Sequence, residues 1–177
     1  FKGNYLGTKT LNYEIVESQK IDASNSEITI EPSEVEFNGE TQKPKVTVNL
    51  DGNNPTEEDY DEIWDVYDFV SAGTKNLTIK FMGNYKGEKT VEYKIIAKDA
   101  SNAEIELTQD KFEYNGEEQK PYIKSAKLGD LILTNEKDYD LILDNDDNKN
   151  VGEKSLTLKF KGNYLGTKTL NYEIVES

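Results

Sequence analysis

The chain has 177 residues, with 21 Lys and Arg against 35 Asp and Glu for a net charge of -14, and it contains no Cys and no His. Charge of that sign opposes binding to nucleic acid or to an anionic membrane surface. The missing His and Cys exclude His-based triads, thiol nucleophiles and zinc sites built on those ligands, and no apolar run approaches the roughly 20 residues of a spanning helix.

The first eighteen residues, FKGNYLGTKTLNYEIVES, are also the last eighteen, and a diverged version, FMGNYKGEKTVEYKI, runs from Phe81 to Ile95. The phrase therefore starts at Phe1, Phe81 and Phe160. That spacing is too long for a solenoid unit and suits small domains in series. The expected organisation is a C-terminal strand segment of a preceding repeat over 1–17, a first complete copy over 18–97 and a second over 98–177. In the opening segment Gly3, Tyr5 and Gly7 belong to a turn, and Leu11, Tyr13 and Ile15 alternate as the inner face of a strand. Two strands without a core behind them are not stable alone. This segment is expected to dock on the first complete copy or on a neighbouring molecule, the alternative being that it is disordered and functionally silent.

Each complete copy reads as short strands. EITIEPSEVEFNGETQKP (27–44) lies over EIELTQDKFEYNGEEQKP (104–121), and the Asn-Gly pairs after Phe37 and Tyr114 signal tight turns. Pro44 and Pro121 fit an edge strand or the first residue of one. The segment PTEEDYDEIWDVYDF offers Tyr60, Ile63, Trp64 and Tyr67 at helical spacing. Its counterpart NEKDYDLILDNDDNKN breaks that stripe at Asp146, so a strand or hairpin is expected in both copies. LTIKF and LTLKF then lead through GNYxG into a strand with alternating apolar residues: Val91, Tyr93 and Ile95, or Leu170, Tyr172 and Ile174. Gly83 with Tyr85, and Gly162 with Tyr164, mark the hairpin turns, whose tyrosines are expected to cap the end of the core. The sum is an all-β chain of tandem small antiparallel β-sandwiches of Ig-like type. The joins AKDASNA and VESQKIDASNS lack Gly and Pro, which favours a semi-rigid rod.

Three constellations come near to chemistry. Asp144, Asp146 and Asn148 in DNDDNKN alternate like calcium ligands, but the Gly and Glu that a twelve-residue calcium loop needs are replaced by Lys149 and Ser155. A solvated hairpin tip is the default there. Paired carboxylates for glycoside hydrolysis need a fixed separation in a cleft, and these acidic residues mostly alternate outward or crowd turns, so no enzyme is expected. Trp64, with Tyr60 and Tyr67 nearby, either fills the core, as Leu143 would in the second copy, or faces outward as a platform for a sugar or protein ligand.

Taken in order, FNGETQKP and YNGEEQKP, then DYD, then NVGEKSLTLKFKGNYLGTKTLNYEI resemble the MBG/YDG-type and related Ig-like stalk repeats of bacterial surface proteins. The first copy departs from that pattern where Ser71-Ala72-Gly73 stands for Asn-Val-Gly. The resemblance implies an extracellular structural or adhesion repeat at a bacterial cell surface or cell wall. It implies no active residues, no cofactor, and neighbouring repeats as partners, with a host protein or glycan as a further partner class.

Overall fold

The computed structural model describes residues 3, 7–14 and 19–177. The long strands follow the alternation read above. In the first copy these are β1 (Ile21–Asp22), β2 (Glu27–Glu31), β3 (Glu34–Glu36), β4 (Lys45–Asn49), β5 (Tyr60–Trp64), β6 (Gly73–Phe81), β7 (Tyr85–Lys86) and β8 (Glu88–Ile96). In the second they are β9 (Lys98–Asp99), β10 (Glu104–Leu107), β11 (Lys111–Glu113), β12 (Ile123–Leu128), β13 (Leu131–Ile132), β14 (Tyr139–Leu143), β15 (Gly152–Phe160), β16 (Tyr164–Leu165) and β17 (Thr167–Val175). The protein is all-β, and its sheets face one another as sandwiches.

In the first copy a four-stranded sheet, β3-β8-β6-β5, faces the pair β2-β4; in the second, β11-β17-β15-β14 faces β10-β12-β13. Registers correspond residue by residue. Leu77 pairs with Val91 as Leu156 pairs with Leu170, and Thr78 with Thr90 as Thr157 with Thr169. Hydroxyl–hydroxyl bonds of 2.8 and 2.7 Å join those threonine pairs on the outer face. The inner face of β6 and β8 buries Leu77, Ile79, Tyr93 and Ile95 against Ile30 of β2 and Val48 of β4. Leu156, Leu158 and Tyr172 repeat this against Ala126. Burial of each such side chain contributes roughly 1.5–3 kcal/mol, which is what commits these segments to one face.

The segment with two readings is a strand in both copies. β5 pairs antiparallel with β6 and β14 with β15. Tyr60 and Trp64 are buried, whereas Ile63 and Tyr67, which a helical stripe would bury with them, are exposed.

The Asn-Gly turns form as expected, each closed by a backbone N–H bond to the asparagine side chain, Glu40 N to Asn38 Oδ1 and Glu117 N to Asn115 Oδ1. They follow β3 and β11, which run parallel to β8 and β17 at the sheet edge, and Gly39 and Gly116, at φ +83° and +80°, carry the chain from one sheet towards the facing one. One edge of β3 is held by β8, and Phe37 N continues that ladder by donating to Ile96 O. Of the opening segment, only residues 3 and 7–14 are described. Residues 7–14 enter no strand, and Leu11 and Tyr13 are 76% and 87% exposed. β17, which carries the same sequence as this segment, lies between β15 and β11. Gly3 is exposed with φ +96°, whereas Tyr5 and Ile15 lie outside the described residues.

Candidate functional site: the joint between the two copies

Only Ala97 separates β8 from β9, so the second copy starts where the last strand of the first copy ends. The incoming chain is seated on the GNYxG tip of its own copy. β9 pairs parallel with β16, Lys98 N donates to Asn163 O and Ala100 N donates to Leu165 O, each at 2.9 Å. The same seat recurs in the first copy, where β1 pairs with β7, Ile21 N donates to Asn84 O and Ala23 N donates to Lys86 O. An aspartate shapes the approach in both: Asp99 Oδ1 accepts from the backbone N–H and hydroxyl of Ser101, and Asp22 Oδ1 from those of Ser24. Those bonds, the hydroxyl first, hold both carboxyls below the usual aspartate range.

From that seat the second copy reaches the first. Tyr164 meets Phe37 edge to face, with ring centroids 5.4 Å apart and planes at 80°. Both rings are buried. Beside them Ala72 N donates to Asn163 Oδ1 at 2.8 Å, and Lys98 Nζ pairs with Glu36. Leu131 Cδ2 lies 2.9 Å from where a Cβ on Gly39 would stand, so the second copy comes close to this turn. Each contact is modest; an aromatic pair of this kind contributes about 0.5–1.5 kcal/mol beyond its area, and the exposed ion pair less. Together with a one-residue link they join the two copies. The sequence-based reading of Tyr164 as a cap on its own core is thus incomplete. It is buried because the neighbouring copy covers it, whereas its counterpart Tyr85 is only half-buried. Phe37, Ala72, Leu131 and Asn163 carried no sequence signal for this role.

The far end of the second copy presents the matching positions uncovered. Tyr114 is held by a bond from its N–H to Val175 O, just as Phe37 is held by Ile96 O, yet it is 39% exposed against 5% for Phe37. Val151, the counterpart of Ala72, is also exposed, and nothing lies within 4 Å of a Cβ on Gly116.

The aromatic platform around Trp64 does not form. Trp64 is buried edge-on between Phe69 and Tyr93, with centroids 5.1 and 6.3 Å away, and Tyr60 is buried against Phe81. Of the three aromatic candidates only Tyr67 is exposed. In the second copy the positions of Trp64 and Phe69 hold Leu143 and Asn148, and a cavity of about 420 Å3 opens there, also lined by Gln109, Phe112, Gln119 and Tyr122.

The calcium-like spacing resolves into hydrogen bonds of a structural loop. Asp144 Oδ2 accepts from the hydroxyls of Ser155 and Thr157, both at 2.9 Å, and buried Asn148 accepts from Tyr172 OH at 2.5 Å. Asp146 points to solvent. The residue that organises the loop is Asp147, which takes the N–H groups of Lys149 and Asn150 at 3.0 Å, as Asp68 takes those of Val70 and Ser71 in the first copy. Among the described residues no three Asp or Glu side chains are gathered as metal ligands.

No family model, curated protein or solved structure matches the chain.

Proposed function

We propose that the chain is a semi-rigid stalk or spacer, an extracellular structural or adhesion repeat of a bacterial cell-surface protein without enzymatic activity. The observation that carries this reading is the joint, in which Tyr164 packs on Phe37 across a one-residue link. A joint of this construction passes a fixed orientation from one copy to the next, as a stalk requires and an isolated catalytic or binding domain does not. The uncovered Tyr114 and Val151 suit a further repeat as partner. The acidic surface resists collapse of one unit on another. The hydrogen bonds that lower Asp22, Asp65, Asp68, Asp99 and Asp147 keep those groups ionised, the opposite of a general acid. Residual dipolar couplings test the rod: one alignment tensor should fit both copies, and Tyr164→Ala should split it into two. Two unrelated tensors in the unaltered chain sink the reading. Antibody against the chain should label intact cells of the source organism, and labelling seen only after lysis overturns the location.

A second reading, a carbohydrate- or protein-binding module, is favoured by one observation, the cavity beside Leu143 and Asn148. Binding on a glycan array that is lost in Leu143→Trp, a side chain the first copy accommodates at the same position, would support it.

A further inference from the structure

We propose that the second copy carries a binding site for an aromatic ring of the indole class, in the cavity of about 420 Å3 beside Leu143 and Asn148. This rests on the second reading above, that the cavity holds a ligand, and it names the ligand. The first copy shows what the space accepts. There the positions of Leu143 and Asn148 hold Trp64 and Phe69, whose ring centroids lie 5.1 Å apart, with Tyr93 at 6.3 Å from the indole. The strands that carry these positions share one register, Trp64 opposite Leu77 and Leu143 opposite Leu156. The second copy keeps Tyr93 as Tyr172, with Phe112 packed edge-on against it at 6.0 Å. Phe112 and Tyr122, which line the cavity, stand where the first copy has Val35 and Lys45. Aromatic walls thus surround the space that aromatic rings fill in the first copy.

The polar groups select the class of ring. Asn148 is spent within the protein, its Oδ1 accepting from Tyr172 OH and its Nδ2 donating to Asn145 O at 2.9 Å. Gln119 Nε2 is likewise committed to Glu113 O at 3.1 Å. A sugar, whose hydroxyls seek donors as well as acceptors, is therefore poorly served by these amides. What remains is Gln119 Oε1, buried and without a donor among the described residues. Lys120, also at the cavity, is the counterpart of Lys43, whose Nζ lies 5.8 Å from the centre of the Phe69 ring. Lys120 makes no such ring contact among the described residues. An electron-rich ring bearing an N–H meets both needs, offering its face to Lys120 and its proton to Gln119 Oε1. The wall is firmly held, since Tyr122 N donates to Thr108 Oγ1 at 3.1 Å and Thr108 N donates back to Tyr122 O at 2.8 Å. The joint uses Phe37 and Ala72, neither of which is the counterpart of a lining residue, so the cavity is separate from it.

Titration of the full chain followed by NMR tests this, with free indole and N-acetyltryptophanamide as probes and N-acetylleucinamide as the apolar control. Saturable shifts are expected at Phe112, Tyr122 and Leu143, and none at their counterparts Val35, Lys45 and Trp64. Binding of both probes identifies a tryptophan side chain presented by a polypeptide; binding of indole alone identifies a small free aromatic compound. Leu143→Trp places the chain's own ring in the space, as the first copy does, and should abolish the shifts. Lys120→Gln alters only an exposed side chain and should weaken binding about two- to fivefold. Absence of saturable shifts with either aromatic probe overturns the proposal. So does binding that neither variant reduces, or equal binding of N-acetylleucinamide. Binding on the glycan array that Leu143→Trp abolishes, with no indole binding, keeps the second reading and sinks this inference; failure of both assays sinks both.

Discussion

Phe37 and Tyr164, one on a turn of the first copy and the other at the hairpin tip of the second, bury each other's rings at a centroid separation of 5.4 Å. Their counterparts Tyr114 and Tyr85 have no such partner among the described residues. A double-mutant cycle on Phe37→Ala and Tyr164→Ala should therefore return a coupling of about 0.5–1.5 kcal/mol. The same cycle on Tyr114 and Tyr85 at low concentration should return zero within error. Equal coupling in both pairs would mean that the first contact is not what joins the copies.

Gly166 answers a different question, namely why the hairpin tip ends in glycine. Its φ of +94° strains any other residue, and a Cβ there would stand 2.8 Å from Asp99 Oδ1. Gly116 has a similar φ of +80° but open space around it. Gly116→Ala should cost about 1–2 kcal/mol for the left-handed backbone alone. Gly166→Ala should cost more, because the Asp99–Ser101 turn must also move. Urea denaturation of the two variants measures the difference, and equal losses would show that the turn does not crowd the glycine.

The strands and both sandwich faces were legible because alternation survives in both copies; comparison of the copies also removed the helical reading of 55–69, which one copy alone would have supported. The joint was not legible. Nothing in FNG distinguishes a hairpin turn from one that changes sheets, since both need the same positive φ, and the parallel pairing of β3 with β8 depends on residues far away in sequence. Likewise GNYxG announces a turn but not that its tyrosine is covered by another copy. DNDDNKN misled in the opposite sense, because Asp147, outside the alternating set, organises the loop through backbone N–H groups.

Trp64 is 3% exposed, and its indole N–H finds no acceptor among the described residues, so packing alone holds it. Trp64→Ala should destabilise the chain by about 3–5 kcal/mol, whereas Tyr67→Ala should stay within about 0.5 kcal/mol. Acrylamide should quench the single tryptophan weakly. Quenching near the rate of free indole would return Trp64 to the surface and revive the platform.

Acid should weaken the fold through its turn aspartates. Asp68 is held down to about 2 by the hydroxyl and N–H of Ser71 and the N–H of Val70, with Lys75 assisting and partial desolvation opposing. Asp147 lies lower still, chiefly through the N–H groups of Asn150 and Lys149. In the unfolded chain these carboxyls protonate near their ordinary value of about 3.9. Below that pH the unfolded state binds protons that the folded state does not yet accept, so stability rises with pH through this window. The contribution is complete above about pH 4 to 5 and is lost progressively towards pH 2, where Asp68 itself protonates. Melting temperature should accordingly be flat from neutrality to about pH 5 and fall steeply below pH 4. Asp68→Asn keeps an acceptor oxygen for the two N–H groups and removes the titration, so its melting curve should start lower at neutral pH but decline less steeply in acid. An unchanged acid slope in Asp68→Asn, with the neutral-pH stability also unchanged, would show that the loop carboxylate does not couple to folding.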